Sequence, residues 1–307
     1  MYYFTLSLIL TIIFIKINLN FFKKNIISIP NKRSLHKIPK PNGGGIIFAI
    51  ITSLFGLLTK FYLPLYGLPL SILGLLDDKY NLKANIRFSF QVISVYTFLL
   101  ISGNKFLNLI SNSTTLNIFL VIFILIFSVG IINIFNFMDG IDGLVCGSTI
   151  TIFIFIILKY KLLILIPFVG SLAGFLFFNW SPSKIFMGDS GSLFIGMMYI
   201  IVLSLLPNIF EIIKVLIISF PIIGDGFICL VRRYLANKNI FEAHKDHLYQ
   251  RLLDSGMKHS TVSLIYIISI IILGTSFLQS NTLLTISTIL IIFFGIYLEK
   301  YKAIKFE

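Results

Sequence analysis

Long apolar runs broken by short polar clusters dominate the chain, and their lengths predict helices. Eleven such runs lie near 2–22, 44–60, 61–76, 88–101, 116–135, 144–158, 162–178, 192–206, 212–231, 261–277 and 282–298. Many approach or exceed the roughly 18–20 residues that span a hydrocarbon core. Only Lys60 and its neighbours separate the second run from the third, so ten spans is the alternative count. Pro64 and Pro69 fall in the third run, where neighbouring helices can satisfy the backbone groups a proline frees. The expectation is an all-α integral membrane protein, one polytopic domain over 1–307, with residues 232–260 as an inward loop. The opening run, Tyr2 to Phe22, lacks a basic leader and an A-x-A cleavage site, so it reads as a retained first span.

Composition agrees with this pattern. The chain is 57% hydrophobic and 12% charged, with mean hydropathy +0.97, against about 25% charged residues in a soluble domain. Cys146 and Cys229 both sit inside apolar runs and read as packing residues. The net charge of +13 would suit nucleic acid, but its distribution argues for a membrane. With eleven spans and the N-terminus outside, the inward loops hold clusters at 23–40, 79–87, 232–258 and 300–305, plus Lys184. These are 19 of the 25 basic residues. The positive-inside rule therefore predicts an outside N-terminus and a cytoplasmic C-terminus.

The twelve acidic residues follow a different logic. The same topology places all but Glu211 at or just within the inner face. Asp77, Asp78, Asp139, Asp142, Asp189 and Asp225 abut or interrupt apolar helices. Carboxylates are costly in that setting and usually mark function.

Four short segments carry the candidate chemistry. The first ends in Asp77-Asp78, adjacent carboxylates that repel unless a cation lies beside them, which suits Mg²⁺ ligation or acid–base work. The second runs from Asn133 to Leu144, with Asn133, Asn136, Asp139 and Asp142 spaced by three. That spacing drifts about 60° per step and lines one half of a helix end with polar groups. The third, Phe186-Met187-Gly188-Asp189-Ser190-Gly191-Ser192, opens the eighth helix. Small residues there would expose backbone N–H groups to anionic oxygens, with a cation needed between Asp189 and a phosphate. The fourth is the inward loop from Arg232 to Arg251, containing Phe241, Ala243, His244, Lys245, His247, Tyr249 and Gln250. Its basic and imidazole groups would complement a diphosphate. A zinc site at His244 and His247 lacks further convincing ligands in the sequence, and His259 and Glu242 read as solvated loop residues. A fifth, smaller segment, Asn31 to Gly45, contains Arg33, Ser34, His36, Lys40 and Asn42 before three glycines. It suits phosphate or lipid headgroups equally well.

Taken in order, these segments resemble the polyprenyl-phosphate N-acetylhexosamine-1-phosphate transferases (the MraY/WecA superfamily, glycosyltransferase family 4). The matching motifs are R-S-x-H…P-x-P-x-G-G-G, the Asp-Asp pair, N-x-x-N-x-x-D-G-x-D-G-L, F-M-G-D-x-G-S and Pro-x-x-x-Asp…Arg-Arg…His. The loop Ala243-His244-Lys245-Asp246-His247 is similar to the branch that initiates bacterial O-antigen or related surface glycans. Lys40 and Asn42 depart from the family's usual lead, so no role for its arginine carries over.

The resemblance implies a bacterial inner-membrane enzyme with its site facing the cytoplasm. A UDP-N-acetyl sugar (6-deoxy sugars included) and undecaprenyl phosphate would yield UMP and a lipid-diphosphate sugar. Mg²⁺ is the implied cofactor, with Mn²⁺ as substitute, and Asp189 and Asp77 the implied ligands. Asp78 is implied as base or lipid-phosphate positioner. Asn133, Asn136, Asp139 and Asp142 would hold nucleotide and sugar, Phe186 would stack on uracil, and His247 with Arg251 would grip the diphosphate. Membrane lipid and a homodimer complete the expected partners, without nucleic acid. Two rivals remain. A transporter would place aspartates near the midplane and show an internal repeat, and a CDP-alcohol phosphotransferase would need D-G-x-x-A-R after Asp139-Gly140.

Overall fold

A computed structural model describes residues 2–30, 35–36, 38–101, 114–239 and 244–306. The expected contributions of Asn31, Arg33, Ser34, Phe241, Glu242 and Ala243 lie outside the described residues. The chain is an all-α membrane protein. Its helices are α1 (Tyr2–Asn25), α2 (Gly45–Leu58), α3 (Leu68–Tyr80), α4 (Ala84–Ile101), α5 (Thr114–Met138), α6 (Leu144–Tyr160) and α7 (Ile166–Asn179). They continue as α8 (Asp189–Leu205), α9 (Ile209–Ile218), α10 (Phe220–Leu235), α11 (Leu248–Asp254), α12 (His259–Gln279) and α13 (Asn281–Tyr301). A short antiparallel pair, β1 (Ile27–Ser28) and β2 (Lys40–Pro41), precedes α2.

Each predicted run has a helical counterpart, with three differences of physical origin. Pro64 and Pro69 turn the third run into a 3₁₀ turn, Leu63–Gly67, followed by α3, each with proline at its start. That helix continues past Asp77-Asp78 to Tyr80 and ends at Asn81, whose φ of 51° is left-handed. The predicted helix 212–231 is two, α9 and α10, bent by 85° at Ser219 ahead of Pro221. The inward loop contains α11, too short and too polar to announce itself by apolar periodicity.

By length and composition α1, α4, α5, α12 and α13 are long and apolar enough to cross a membrane, and the bent α9–α10 pair passes the same test as one unit. Helices α2, α6, α7 and α8 are shorter but apolar. Helix α8 is buried at every residue from Ser190 to Ser204, which marks it as the central helix of the bundle. It packs against α2, α3 and α5, while α1 lies on α7 and α12 on α6. Large apolar side chains such as Ile17, Phe123 and Phe293 project outward from α1, α5 and α13, as lipid contact requires.

Two close contacts fix the end of the bundle that carries the carboxylates. Gly74 of α3 lies against the backbone of Asp189 and Ser190, where a Cβ would collide with the Asp189 carbonyl. One turn later, Asp77 and Asp78 meet the start of α8. On the other side, Asp225 of α10 accepts the Leu248 N–H (2.8 Å), the Tyr249 N–H (3.2 Å) and the Tyr266 hydroxyl (2.7 Å). Its charge satisfies orphan donors at the start of α11 from a neighbouring helix. This answers what Asp225 does, which its position in an apolar run left open.

Two substitutions test these contacts in detergent-solubilised protein. Gly74→Ala should lower the melting temperature, as overpacking costs about 1–3 kcal/mol; an unchanged melt would refute the contact. Asp225→Asn should speed hydrogen exchange at Leu248 and Tyr249, because a buried donor losing its acceptor costs about 1–3 kcal/mol; unchanged protection would refute the anchor.

Candidate active site

The start of α8, the inner ends of α3 and α5, and the segments around residues 36–42 and 186–188 enclose a cavity of about 230 Å³. Backbone pairing aligns two of these segments. Phe186 N–H donates to Pro41 O (2.9 Å), Gly44 N–H to Phe186 O (3.0 Å) and Gly45 N–H to Met187 O (3.0 Å). Asp78, Asn136, Asp139, Phe186 and Asp189 all line the cavity, together with His36, Asn42 and Gln250.

The carboxylates hold distinct environments. Asp78 accepts the N–H groups of Asp189 (3.0 Å) and Ser190 (3.3 Å), and the Asn42 amide (2.9 Å). The N-terminus of α8, expected to face a phosphate, is therefore capped by the protein's own carboxylate. Asp189 accepts Asn136 Nδ2 at 2.9 Å and Arg87 at 3.3 Å. The same Arg87 nitrogen donates to Asp77 at 2.8 Å, so one guanidinium bridges two carboxylates. Asp77 also accepts the Leu82 N–H at 2.6 Å, is 7% exposed and does not line the cavity. Asp139 faces the cavity from the loop after α5, with no hydrogen bond to its carboxylate among the described residues. Burial, reinforced by the charges of Asp189, Asp78 and Asp142, raises its pKa well above the usual carboxylate range.

Phe186 meets His36 edge-to-face at 4.9 Å, and Lys40 Nζ lies 5.0 Å from its ring centroid. The ring is partly exposed and held at the cavity wall.

Four expected substrate contacts lie elsewhere, three of them committed to protein partners and the fourth, His247, buried. Asn133 forms a reciprocal amide pair with Gln91 (2.7 and 3.2 Å), joining α5 to α4. Asp142 is 4% exposed and accepts both the hydroxyl (2.7 Å) and the N–H (3.0 Å) of Ser183, with Lys40 Nζ 3.7 Å away. Arg251 is 5% exposed and occupied by Glu299, by Ile304 O (2.9 Å) and by Asp246 O (3.0 Å). Four of its five N–H donors are thereby taken, and it does not line the cavity. His247 is buried behind Tyr249, with its ring stacked on His244 at 5.0 Å. Burial, followed by the His247 and Arg233 charges, pushes His244 down to about 4, and burial likewise lowers His247. His259, expected in solvent, accepts the Asp142 N–H at 3.3 Å and is half-buried.

Sequence reasoning gave no role to Arg87, and placed His36, Asn42 and Gln250 only in segments suited to phosphate, without a contact at this site. Arg87 lies ten residues from Asp77, and only the α3–α4 turn brings it back. Gln250 reaches the cavity because Asp225 docks α11 and the Tyr249 hydroxyl donates to Phe137 O at 2.9 Å. Gly140 permits that approach, since any Cβ there would strike the Tyr249 hydroxyl.

Comparison with known proteins supplies an independent line. Residues 61–206 match the model of glycosyl transferase family 4, a stretch that holds every cavity-lining aspartate but not the histidine loop. The chain is 32% identical over 299 residues to the "probable undecaprenyl-phosphate N-acetylglucosaminyl 1-phosphate transferase" of Bacillus subtilis (strain 168), covering 88% of this chain and 83% of that one. It is 27% identical over 293 residues to the decaprenyl-phosphate N-acetylglucosaminephosphotransferase of Mycobacterium leprae (strain TN), covering 78% and 73%. It is also 36% identical over 200 residues to the phospho-N-acetylmuramoyl-pentapeptide-transferase of Streptococcus mutans, covering 54% and 59%. With its fold, its clustered carboxylates and these similarities in agreement, the chain belongs to glycosyl transferase family 4, the superfamily of the membrane phospho-sugar transferases.

Proposed function

We propose that this enzyme transfers an N-acetylhexosamine-1-phosphate from a UDP-sugar to undecaprenyl phosphate at the cytoplasmic face of a bacterial inner membrane. The product is the lipid-diphosphate sugar that initiates a surface glycan, and UMP leaves. One observation carries the reading. Asp78, Asp139 and Asp189, far apart in sequence, converge on one cavity beside an aromatic ring held at its wall.

The donor set fits Mg²⁺. Asp77, Asp78 and Asp189 contribute only oxygens, and Arg87 is the one cation in the described contacts of all three. That leaves a negative excess a hard divalent ion would neutralise. Asp189 and Asp77 would hold it, with Arg87 giving way, and the ion would screen the diphosphate's charge. Mn²⁺ suits the same oxygens.

The chain's own residues then have separable tasks. Phe186 stacks on the uracil. Asp139 faces the cavity and offers its carboxyl oxygens to a sugar hydroxyl or nucleobase N–H. Asn136 orients Asp189 through its amide. Asp78 holds the start of α8 against α3, which keeps the cavity in shape. In the reaction an oxygen of the acceptor phosphate bonds to the donor's β-phosphorus, and the bond from that phosphorus to the bridging oxygen breaks, releasing UMP. A phosphate monoester has its second pKa near 6, so the acceptor is largely dianionic and alignment outweighs proton removal. The loop His244-Lys245-Asp246-His247 supports placing the chain among initiators of O-antigen and related glycans.

Membranes containing the protein, given Mg²⁺, undecaprenyl phosphate and a panel of UDP-N-acetyl sugars, should release UMP and form lipid-linked sugar with at least one donor. Silence across the panel would overturn the reading. Asp189→Asn should lower turnover by about 10²-fold or more, the usual scale for a lost electrostatic contact. Phe186→Ala should raise the donor KM about tenfold with acceptor KM unchanged, as base–aromatic stacking contributes about 1–3 kcal/mol. An unchanged donor KM would remove Phe186 from the donor site.

A further inference from the structure

Away from the carboxylate cavity, α10 and the loop before α11 bring Cys229, His244 and His247 together. One ligand-type atom from each lies within 4.8 Å of the other two. Cys229 Sγ stands 4.0 Å from His244 Nδ1, and none of the three residues lines the cavity described above. Cys229 is 3% exposed and His247 is 2% exposed.

A second observation points to a ligand. His247 Nδ1 is buried and has no hydrogen-bond partner among the described residues. Buried polar atoms are normally satisfied, and each exception calls for an explanation. His244 Nδ1 accepts one long bond, 3.3 Å from the Asp246 N–H. Carboxylates flank both rings, Asp246 Oδ2 at 3.9 Å from His244 Nδ1 and Asp225 Oδ1 at 3.9 Å from His247 Nδ1.

We propose that Cys229, His244 and His247 bind a structural zinc ion, with the fourth position open to water or to Asp246, which would have to move in from beside His244. A thiolate with two imidazoles is a set that zinc accepts and Mg²⁺ does not, since Mg²⁺ demands oxygens. Bonds of about 2.3 Å to sulfur and about 2.0–2.1 Å to nitrogen put those atoms about 3.6 Å apart in a tetrahedron. Closing from 4.0 Å takes a few tenths of an ångström. Asp225 is the weaker candidate ligand, because its oxygens already accept Leu248 N–H, Tyr249 N–H and the Tyr266 hydroxyl. Asp246 must share its carboxylate with Arg233. The ion would clamp the chain before α11 onto α10, holding Gln250 at the cavity. This site does not depend on the transferase reading, and its ligands differ from those proposed for Mg²⁺.

The test uses the purified full-length protein in detergent, in a Cys146→Ser background so that Cys229 is the single thiol. After chelation and desalting, the protein should take up about one zinc per chain by elemental analysis. Cobalt(II) should give a thiolate-to-metal charge-transfer band that excess Mg²⁺ does not remove and one equivalent of zinc does. Cys229→Ser should abolish the band, and His247→Ala should weaken zinc binding about tenfold or more. Absence of the band in the Cys229-containing protein would overturn the proposal, whether or not the variants fold. Full zinc uptake by a folded Cys229→Ser variant would do the same.

Discussion

The capping of α8 by Asp78 organises the inner end of the bundle. A helix start leaves N–H groups unpaired, and in a buried central helix these need an acceptor. Asp78 supplies it across the α3–α8 contact, and Gly74 makes that contact close enough. The same approach sets Asp77 and Asp189 against Arg87, so like charges that would repel share one guanidinium. The helix packing and the acidic cluster thus depend on each other.

Around this centre, polar residues near helix ends act as joints. Asp142 ties the loop after α5 to Ser183, and Ser263 donates to its carbonyl, so three segments meet at one residue. Asp225 fixes α11 to α10, and the Tyr249 hydroxyl fixes it to the last turn of α5. Arg251 locks α11 to the end of α13 through Glu299 and Ile304. Among the described residues the Asp139 carboxylate has no hydrogen bond, and it faces the cavity.

Residues that share one motif therefore divide between two kinds of work. Asn136 and Asp139 reach the cavity while Asn133 and Asp142 bind the protein, although all four recur at the same spacing. Helical drift explains part of this, since three steps of three, at about 60° each, turn a side chain well away from its starting direction. The rest follows from the chain leaving helix at Asp139, after which periodicity says nothing about direction.

The sequence by itself determined the all-α membrane architecture, because apolar runs of spanning length leave no other backbone solution in lipid. It also singled out Asp78, Asp139 and Asp189, carboxylates that are rare in apolar surroundings, whereas Phe186 was marked only by the family resemblance. Tertiary structure alone decided which aspartates face a cavity and which cap or join helices, since both uses select the same side chain. It placed Arg87 between two carboxylates, gave Asp225 the start of α11, and committed Arg251 to Glu299. It also set Cys229, which reads as packing in its apolar run, against two histidines from the next loop. Those contacts join residues distant along the chain, and only the packing of helices brings them within bonding distance.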